Sequence, residues 1–364
     1  MSAGPEQVPQ DGHPAQSPEQ SPDVIEAGGD ASDDGFQPSE WDASSTGSTS
    51  ITSSVLKHSY ENGRRQMLIK LHNQSYHSFR DGRYPIPNDD IEQNREETKH
   101  AMVMELTDGK LFHAPIGDSP SKIIDLGTGT QILSDSTGIW AMEVGDQYPS
   151  AEVTGVDLSP IQPSWVPSNV RFFVDDVEDD WLSGNDFDLI HMRNLASLVH
   201  DLPKLLERVF QNLKPGAYVE TQDFSANLKC DDGTMPEDWP LLEFWSNIRD
   251  TMHKMKTDIQ VAPRIGALMK DAGFVNVQVR SYKVPVGRWP LDKTKRLVGH
   301  YMRSVTEDFL GAAASKPLAA LGMERTEIEV FLASVRNAIK DSNVHAYGTY
   351  YSWVGQKPVE SGSK

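Results

Sequence analysis

The sequence predicts an α/β fold: a doubly wound, mostly parallel seven-stranded sheet of Rossmann-like pattern, with helical cap insertions. Three observations lead there. Short apolar runs alternate with helical stretches from residue 121 onward, the signature of strand–helix–strand units. The first run empties into a glycine-rich bend, DLGTGT (125–130). The last two strand-like segments are separated by a long helical stretch, so they add as an antiparallel pair at one sheet edge.

The elements follow in order. Ser121 to Leu126 is a short apolar run ending in glycines, the profile of a parallel strand buried on both faces. Gly138 to Gln147 reads as a helix stopped at Tyr148-Pro149. Ala151 to Asp157 (AEVTGVD), Val170 to Val174 (VRFFV) and Phe187 to Met192 (FDLIHM) are the second, third and fourth strands. Leu202, Leu205, Leu206, Val209 and Leu213 share one helical face, and Pro215-Gly216 ends that helix. Ala217 to Gln222 is a fifth strand. Pro263 to Gly273 is a helix, Val275 to Val286 a long alternating strand, 290–342 helical, and Tyr347 to Gly355 the last strand. Residues 52–113 mix helical stretches with a proline-punctuated loop, YPIPN (84–88).

Charge divides the chain. Residues 1–50 hold ten of the nineteen excess negative charges and no Lys or Arg, and are rich in Pro, Gly, Ser and Gln. Such a stretch buries too little apolar surface to offset its ordering entropy. The expected division is therefore a disordered acidic tail (1–51), one domain (52–358) and a short disordered end (359–364). Within the domain the core is 121–224, and 224–260 and 290–342 are helical cap segments. The acidic balance disfavours nucleic-acid binding. The single cysteine, Cys230, excludes an intramolecular disulfide. With no signal-like N-terminus and no apolar run near 18 residues, a soluble protein of the cytoplasm, the nucleus or both is expected.

Chemistry is expected beyond the carboxyl ends of the strands, where ligands bind to open parallel sheets. DLGTGT offers a backbone that turns tightly and lets a ligand approach. Asp157 closes the second strand, where a carboxylate can accept both hydroxyls of a ribose. Asp175-Asp176 follow the third and suit a base amino group. His191-Met192-Arg193-Asn194 close the fourth. A dinucleotide fingerprint needs a glycine at 132, which is Ile. An acidic residue followed by Gly-x-Gly-x-Gly is instead the S-adenosylmethionine pattern. Gly127 to Asp157 exceeds the usual spacing of about 20 residues; without 131–137 the text reads DLGTGTGIWA.

The chain resembles the fungal LaeA-like, TAM-domain class I S-adenosylmethionine methyltransferases over about residues 55–358. The matching text is YENGRR (60–65), YHSFRDGRYPIPND (76–89), LTDGKLFHAPIG (106–117), DLGTGT, GIWA, GVDLSPIQPSWVPSNVRF (155–172), FDLIHMRNL (187–195), LKPGAYVETQDF (213–224) and YSWVGQKP (351–358). The resemblance implies that Asp125, Gly127 and Gly129 border the methionine moiety. It places Asp157 on the ribose and Asp176, with Asp175, on the adenine. Gly138, Leu158, Val177 and Met192 complete the cofactor set. Two segments depart from the family text: QMLIKLHNQS (66–75) follows GRR, and 131–137 separate Gly129 from Gly138. Both stand open to two readings, gene-model artefact or natural variation.

Methyl transfer from a sulfonium needs alignment in a dry site more than it needs a metal, and no metal-ligand spacing is present. A general base helps an acidic acceptor. The catalytic candidates are His191 as the base, Tyr76 and His77 covering the pocket from the N-terminal side, and Arg193 orienting an anionic substrate. Trp239, Phe244, Trp245, Met252 and Met255 read first as helix core and second as the wall of an apolar acceptor pocket. A small-molecule acceptor of fungal specialised metabolism is expected. The alternatives are a nuclear LaeA-like regulator working through protein partners and a protein acceptor, and a pseudoenzyme whose cofactor loop is disrupted by 131–137.

Overall fold

The structure is a computed structural model that describes residues 24–28, 90–129, 138–158, 165–181, 184–315 and 317–359. Tyr76, His77, segments 66–75 and 131–137, the end 360–364 and most of the expected N-terminal tail lie outside the described residues. The elements are α1 (Asp90–Leu106), β1 (Lys122–Leu126), α2 (Ile139–Gln147), β2 (Glu152–Asp157), β3 (Val170–Val174), β4 (Phe187–Arg193), α3 (Leu202–Asn212) and β5 (Leu213–Lys229). They continue with α4 (Pro240–Lys254), α5 (Ile265–Asp271), β6 (Val275–Pro285), α6 (Lys293–Ser315), α7 (Arg325–Ala338) and β7 (Tyr347–Gln356).

The seven strands stand in the order β3-β2-β1-β4-β5-β7-β6. All neighbours from β3 to β5 are parallel, and β7 runs antiparallel to both β5 and β6. The expected antiparallel pair is thus present at the edge, with β7 slotted inside and β6 outermost. β5 is longer than expected at both ends: it starts at Leu213, directly after α3, so Pro215-Gly216 lie inside the strand and do not end the helix, and β7 pairs with it as far as Lys229.

Register positions the site. Leu126 lies level with Val156 on one side and Met192 on the other, Asp157 with Val174, and Arg193 with Gln222. The carboxyl ends of β1 to β4 therefore form one line. Apolar residues on both faces fix this alignment, since a one-residue slip would exchange the faces. Ile124, Leu126, Ile190 and Met192 pack toward α3 and α5. Ile123, Val153 and Leu189 pack with Trp140, Ala141 and Val144 of α2 on the opposite face. A separate cluster joins α4, α6 and α7 through Phe244, Ile248, Leu310, Leu332 and Val335. Asp201 caps α3, its side chain accepting from Lys204 N at 3.1 Å.

A short piece of the expected tail is seated on the domain. Ala27 bridges to Pro290, and Gly28 N–H donates to Trp289 O at 2.8 Å. Ile25 is buried there. For residues 24–28 the expectation of disorder is corrected: an apolar side chain and an edge of paired backbone offset the ordering cost.

Glu220 ties the segment before β1 to the sheet. Its carboxylate accepts His113 N–H at 2.7 Å, Ala114 N–H at 2.8 Å, Gln222 Nε2 at 2.8 Å and the Ser352 hydroxyl at 2.9 Å. Burial pushes this carboxyl up, but the donation from His113 and the other donors outweighs it and holds it below its ordinary value. Replacing it with alanine leaves four buried donors without their acceptor. We expect Glu220→Ala to lose about 3 kcal/mol or more of stability. Urea denaturation checks this, and a loss under about 1 kcal/mol contradicts it.

Candidate functional site

One cavity of about 310 Å³ opens along the line of strand ends. Its sheet side is lined by Gly127 and Gly129 after β1, Asp157 and Leu158 after β2, Asp175, Asp176 and Val177 after β3, and Arg193 at the end of β4. The helices add Arg95, Glu96 and Lys99 from α1, Trp245 and Met252 from α4, and Met302 and Phe309 from α6, and the loop after β4 and the far half of β5 line it too.

The bend owes its shape to two glycines with different reasons to be glycine. Gly127 (φ +69°) has Leu195 Cδ1 only 2.9 Å from where a β-carbon would stand, so it is both twisted and crowded. Gly129 (φ +83°) has nothing within 4 Å of that point among the described residues, so its bare backbone borders open space there. Gly129 N–H donates to Asp157 Oδ2 at 3.0 Å, fastening the bend to the end of β2.

Four of the expected residues stand apart from the cavity lining. Asp125 and His191 are level across β1 and β4, both buried, with His191 Nδ1 donating to Asp125 Oδ1 at 2.7 Å. The imidazole lies flat on Trp140, ring centroids 3.7 Å apart and planes 2° off parallel. The expectation of His191 as a base at the acceptor is therefore corrected. Strand alternation turns it toward α2, away from the cavity, and Asp125 holds it there. Met192 points to the other face and packs in the core with Leu202, Leu205 and Val209 of α3. Gly138 (φ +65°) begins α2, and a β-carbon there would stand 2.3 Å from the Phe172 ring. Its glycine requirement comes from packing against β3.

Arg193 lines the cavity. His100 Nδ1 accepts its Nη2–H at 3.0 Å, and His100 Nε2 donates to Glu143 at 3.1 Å. Burial lowers the His100 pKa, Glu143 partly offsets that, and Arg193 lowers it further. The neutral ring thus serves as a rest for the guanidinium. Around Glu96, burial raises the carboxyl, but Lys99 and Arg95 together outweigh it and bring it to about 2. Lys99 Nζ reaches Glu96 Oε1 at 2.9 Å.

Sequence reasoning missed Arg95, Glu96, Lys99 and Asp223. Asp223 sits one residue past the line of strand ends on β5, 1% exposed, and lines the cavity. The polar ending TQDF (221–224) was a signal for it. The α1 residues gave none, since DIEQNREETKHAMVMEL has charge on every face. Of the aromatic and methionine residues expected chiefly as core, Trp239 and Phe244 are core, whereas Trp245 and Met252 also line the cavity.

A parallel sheet with β7 alone reversed, and a glycine bend facing carboxylates on the next two strands, defines a class I methyltransferase. Such enzymes take their methyl group from S-adenosylmethionine. A family model described as a methyltransferase domain matches residues 98–279. The methyltransferase pytC of Aspergillus terreus is 35% identical over 312 residues, 85% of this chain and 91% of that protein. A secondary metabolism regulator of Cochliobolus heterostrophus is 31% identical over 293 residues, covering 78% and 93%. The protein-methionine methyltransferase laeA of Emericella nidulans is 29% identical over 313 residues, covering 82% and 79%. The chain belongs to the methyltransferase-domain family, within its fungal LaeA-like branch.

The residues present fit S-adenosylmethionine. The donor presents two ribose hydroxyls, an adenine amino group and a methionine chain, and the cavity offers the carboxylates of Asp157, Asp175 and Asp176 and a glycine backbone. Among the described residues no group of His, Cys, Asp and Glu is arranged to hold a metal, and no helix is long and apolar enough to cross a membrane.

The two glycines separate by experiment. Gly127→Ala should cost about 1–2 kcal/mol of stability from strain and crowding together. Gly129→Ala should cost less than Gly127→Ala, yet weaken S-adenosylmethionine binding more than tenfold, because its methyl enters the cavity. Thermal melts paired with calorimetry check both, and equal effects on both readouts contradict the assignment.

Proposed function

We propose that the cavity holds S-adenosylmethionine across the line of strand ends and a small-molecule acceptor beneath the helices. The observation that carries this reading is the meeting of the ends of β1, β2, β3 and β4 in one cavity. In this reading Gly127 and Gly129 border the methionine portion. Asp157 takes the ribose hydroxyls, its geometry set by the Gly129 amide. Asp175 and Asp176 face the adenine amino group, with Leu158 and Val177 against the ring. Asp125 acts at one remove: buried beneath the bend, it fixes His191 and through it Trp140 at the start of α2.

When bound, the cofactor supplies a methyl carbon already activated by its sulfonium. The chain has to align an acceptor with that carbon and keep water out. Segments 224–260 and 290–342 serve as the cap. Trp245, Met252, Met302 and Phe309 supply the apolar wall, with Trp245 and Phe309 stacked at 5.6 Å. Arg193, steadied by His100, meets the acceptor's polar end. Secondary metabolism is the proposed setting, supported by the names of the relatives, in the cytoplasm or the nucleus. A second reading, a regulator that methylates or binds a protein partner, is favoured by likeness to the laeA proteins. Metabolite profiling of a deletion strain separates the two: loss of one methylated compound supports the enzyme, and silencing of many pathways supports the regulator.

Titration calorimetry with S-adenosylmethionine tests the site. We expect binding at least in a variant lacking 131–137, and a loss of roughly 1.5–3 kcal/mol in Asp157→Ala if charged hydrogen bonds to the ribose are removed. Unchanged affinity removes Asp157 from the site. Absence of binding in both the full chain and the deletion variant refutes the cofactor reading.

A further inference from the structure

Asp223 is the buried acid of the cavity that the cofactor reading leaves without work. Both of its oxygens are buried and make no hydrogen bond of normal geometry among the described residues. The cavity lining around it includes Arg193 and Asn194 from the end of β4 and Phe224 and Ser225 farther along β5. The apolar wall of Trp245, Met252, Met302 and Phe309 belongs to the same cavity. A carboxylate so placed costs stability and is retained where chemistry needs it.

We propose that Asp223 is the general base of the methyl transfer, and that the acceptor is an apolar small molecule bearing a phenolic or enolic hydroxyl. This rests on the cofactor reading above. The acceptor O–H proton passes to the Asp223 carboxylate as an oxygen lone pair forms the new bond to the methyl carbon. The C–S bond breaks with its electron pair going to sulfur, which leaves as a neutral thioether. The proton then departs from Asp223 to solvent, so each turnover releases one proton.

The surroundings of Asp223 suit that task. Burial pushes its carboxyl up to about 7, opposed by the backbone N–H groups of Ser197 and Ala196 and by the charge of Lys99. From α1 it is faced by Lys99, whose charge is shared with Glu96. From the loop after β4 come the two neutral amides. From β7, Tyr351 is its register partner and Tyr350 a buried phenol raised well above its ordinary value. A base with this poise is ionised enough at neutral pH to take a proton and basic enough to hold it.

The sign of the linkage follows. The raised group binds its proton in the folded state between about 4 and 7 while the unfolded chain has already lost it, so stability falls as pH rises through that window. Asp223→Asn, which keeps the shape without the charge, should therefore melt higher than the parent at pH 8, and the gap should close toward pH 5. The kinetic arm uses labelled S-adenosylmethionine with 2-naphthol, a hydroxycoumarin and a resorcylic ester as acceptors. Parent turnover should rise with pH to a plateau with a midpoint near 7. Asp223→Asn should lose at least about a hundredfold in kcat with cofactor affinity by calorimetry unchanged, and Asp223→Glu should recover part of it.

A lower Tm for Asp223→Asn at pH 8 assigns the carboxylate to the fold and overturns the proposal. So does retained turnover in that variant. Failure of the parent to methylate any of these hydroxyl acceptors while binding the cofactor overturns the acceptor class. Failure to bind the cofactor at all instead removes the reading on which the proposal rests.

Discussion

Everything at the site depends on the register of four parallel strands. Because Leu126 is level with Val156 and Met192, the chain leaves β1, β2 and β4 at one height, and β3 ends level with Asp157. Hydrogen bonding alone permits other registers. The alternation of Ile123, Ile124 and Leu126 in β1 against matching pairs in β2 and β4 selects this one, since both faces are buried. A glycine bend, a carboxylate and an acidic pair widely spaced in sequence become neighbours as a consequence.

The two faces of the sheet then do different work. Toward α3 and α5 the packing is mainly apolar, with the buried Thr154 and Thr221 among it. Toward α2 and the segment before β1, the sheet buries Asp125, His191, Glu220 and Gln222 in a hydrogen-bonded band. Buried polar groups of this kind are costly unless partnered, and their partners fix geometry where apolar contact alone would tolerate sliding. Asp125 with His191 and Trp140 anchors the start of α2 beneath the bend, and Glu220 anchors 113–114. Asp223 breaks this pattern. It is buried on β5 with only the Ser197 and Ala196 amides beside its carboxyl among the described residues, and it lines the cavity.

Strand positions were legible in the sequence because fully buried strands are short apolar runs bounded by glycine, proline and aspartate. VRFFV matches β3 residue for residue, although this edge strand buries only Val170 fully. The strand-end residues Gly127, Gly129, Asp157, Asp175, Asp176 and Arg193 were readable by the same logic, since a polar residue at the end of an apolar run has to face a loop or a ligand. What the sequence does not show is the direction in which a strand residue points. His191 and Arg193 are two apart, yet the first is sealed against Trp140 and the second reaches the cavity, because only the second is at the end of the strand. Nor does it show how far a strand continues once a later one pairs with it. β5 passed its expected end because β7 covers it, and that extension is what seals Asp223. The α1 charges were hidden for another reason: a helix bordered by protein on several sides has no apolar stripe to reveal its orientation.

If this register builds the cofactor site, a crystal structure of the protein with S-adenosylhomocysteine will show both ribose hydroxyls within hydrogen-bond distance of the Asp157 carboxylate and the homocysteine backbone against Gly129. A bound product whose ribose lies away from Asp157, or that occupies another face of the sheet, would contradict it.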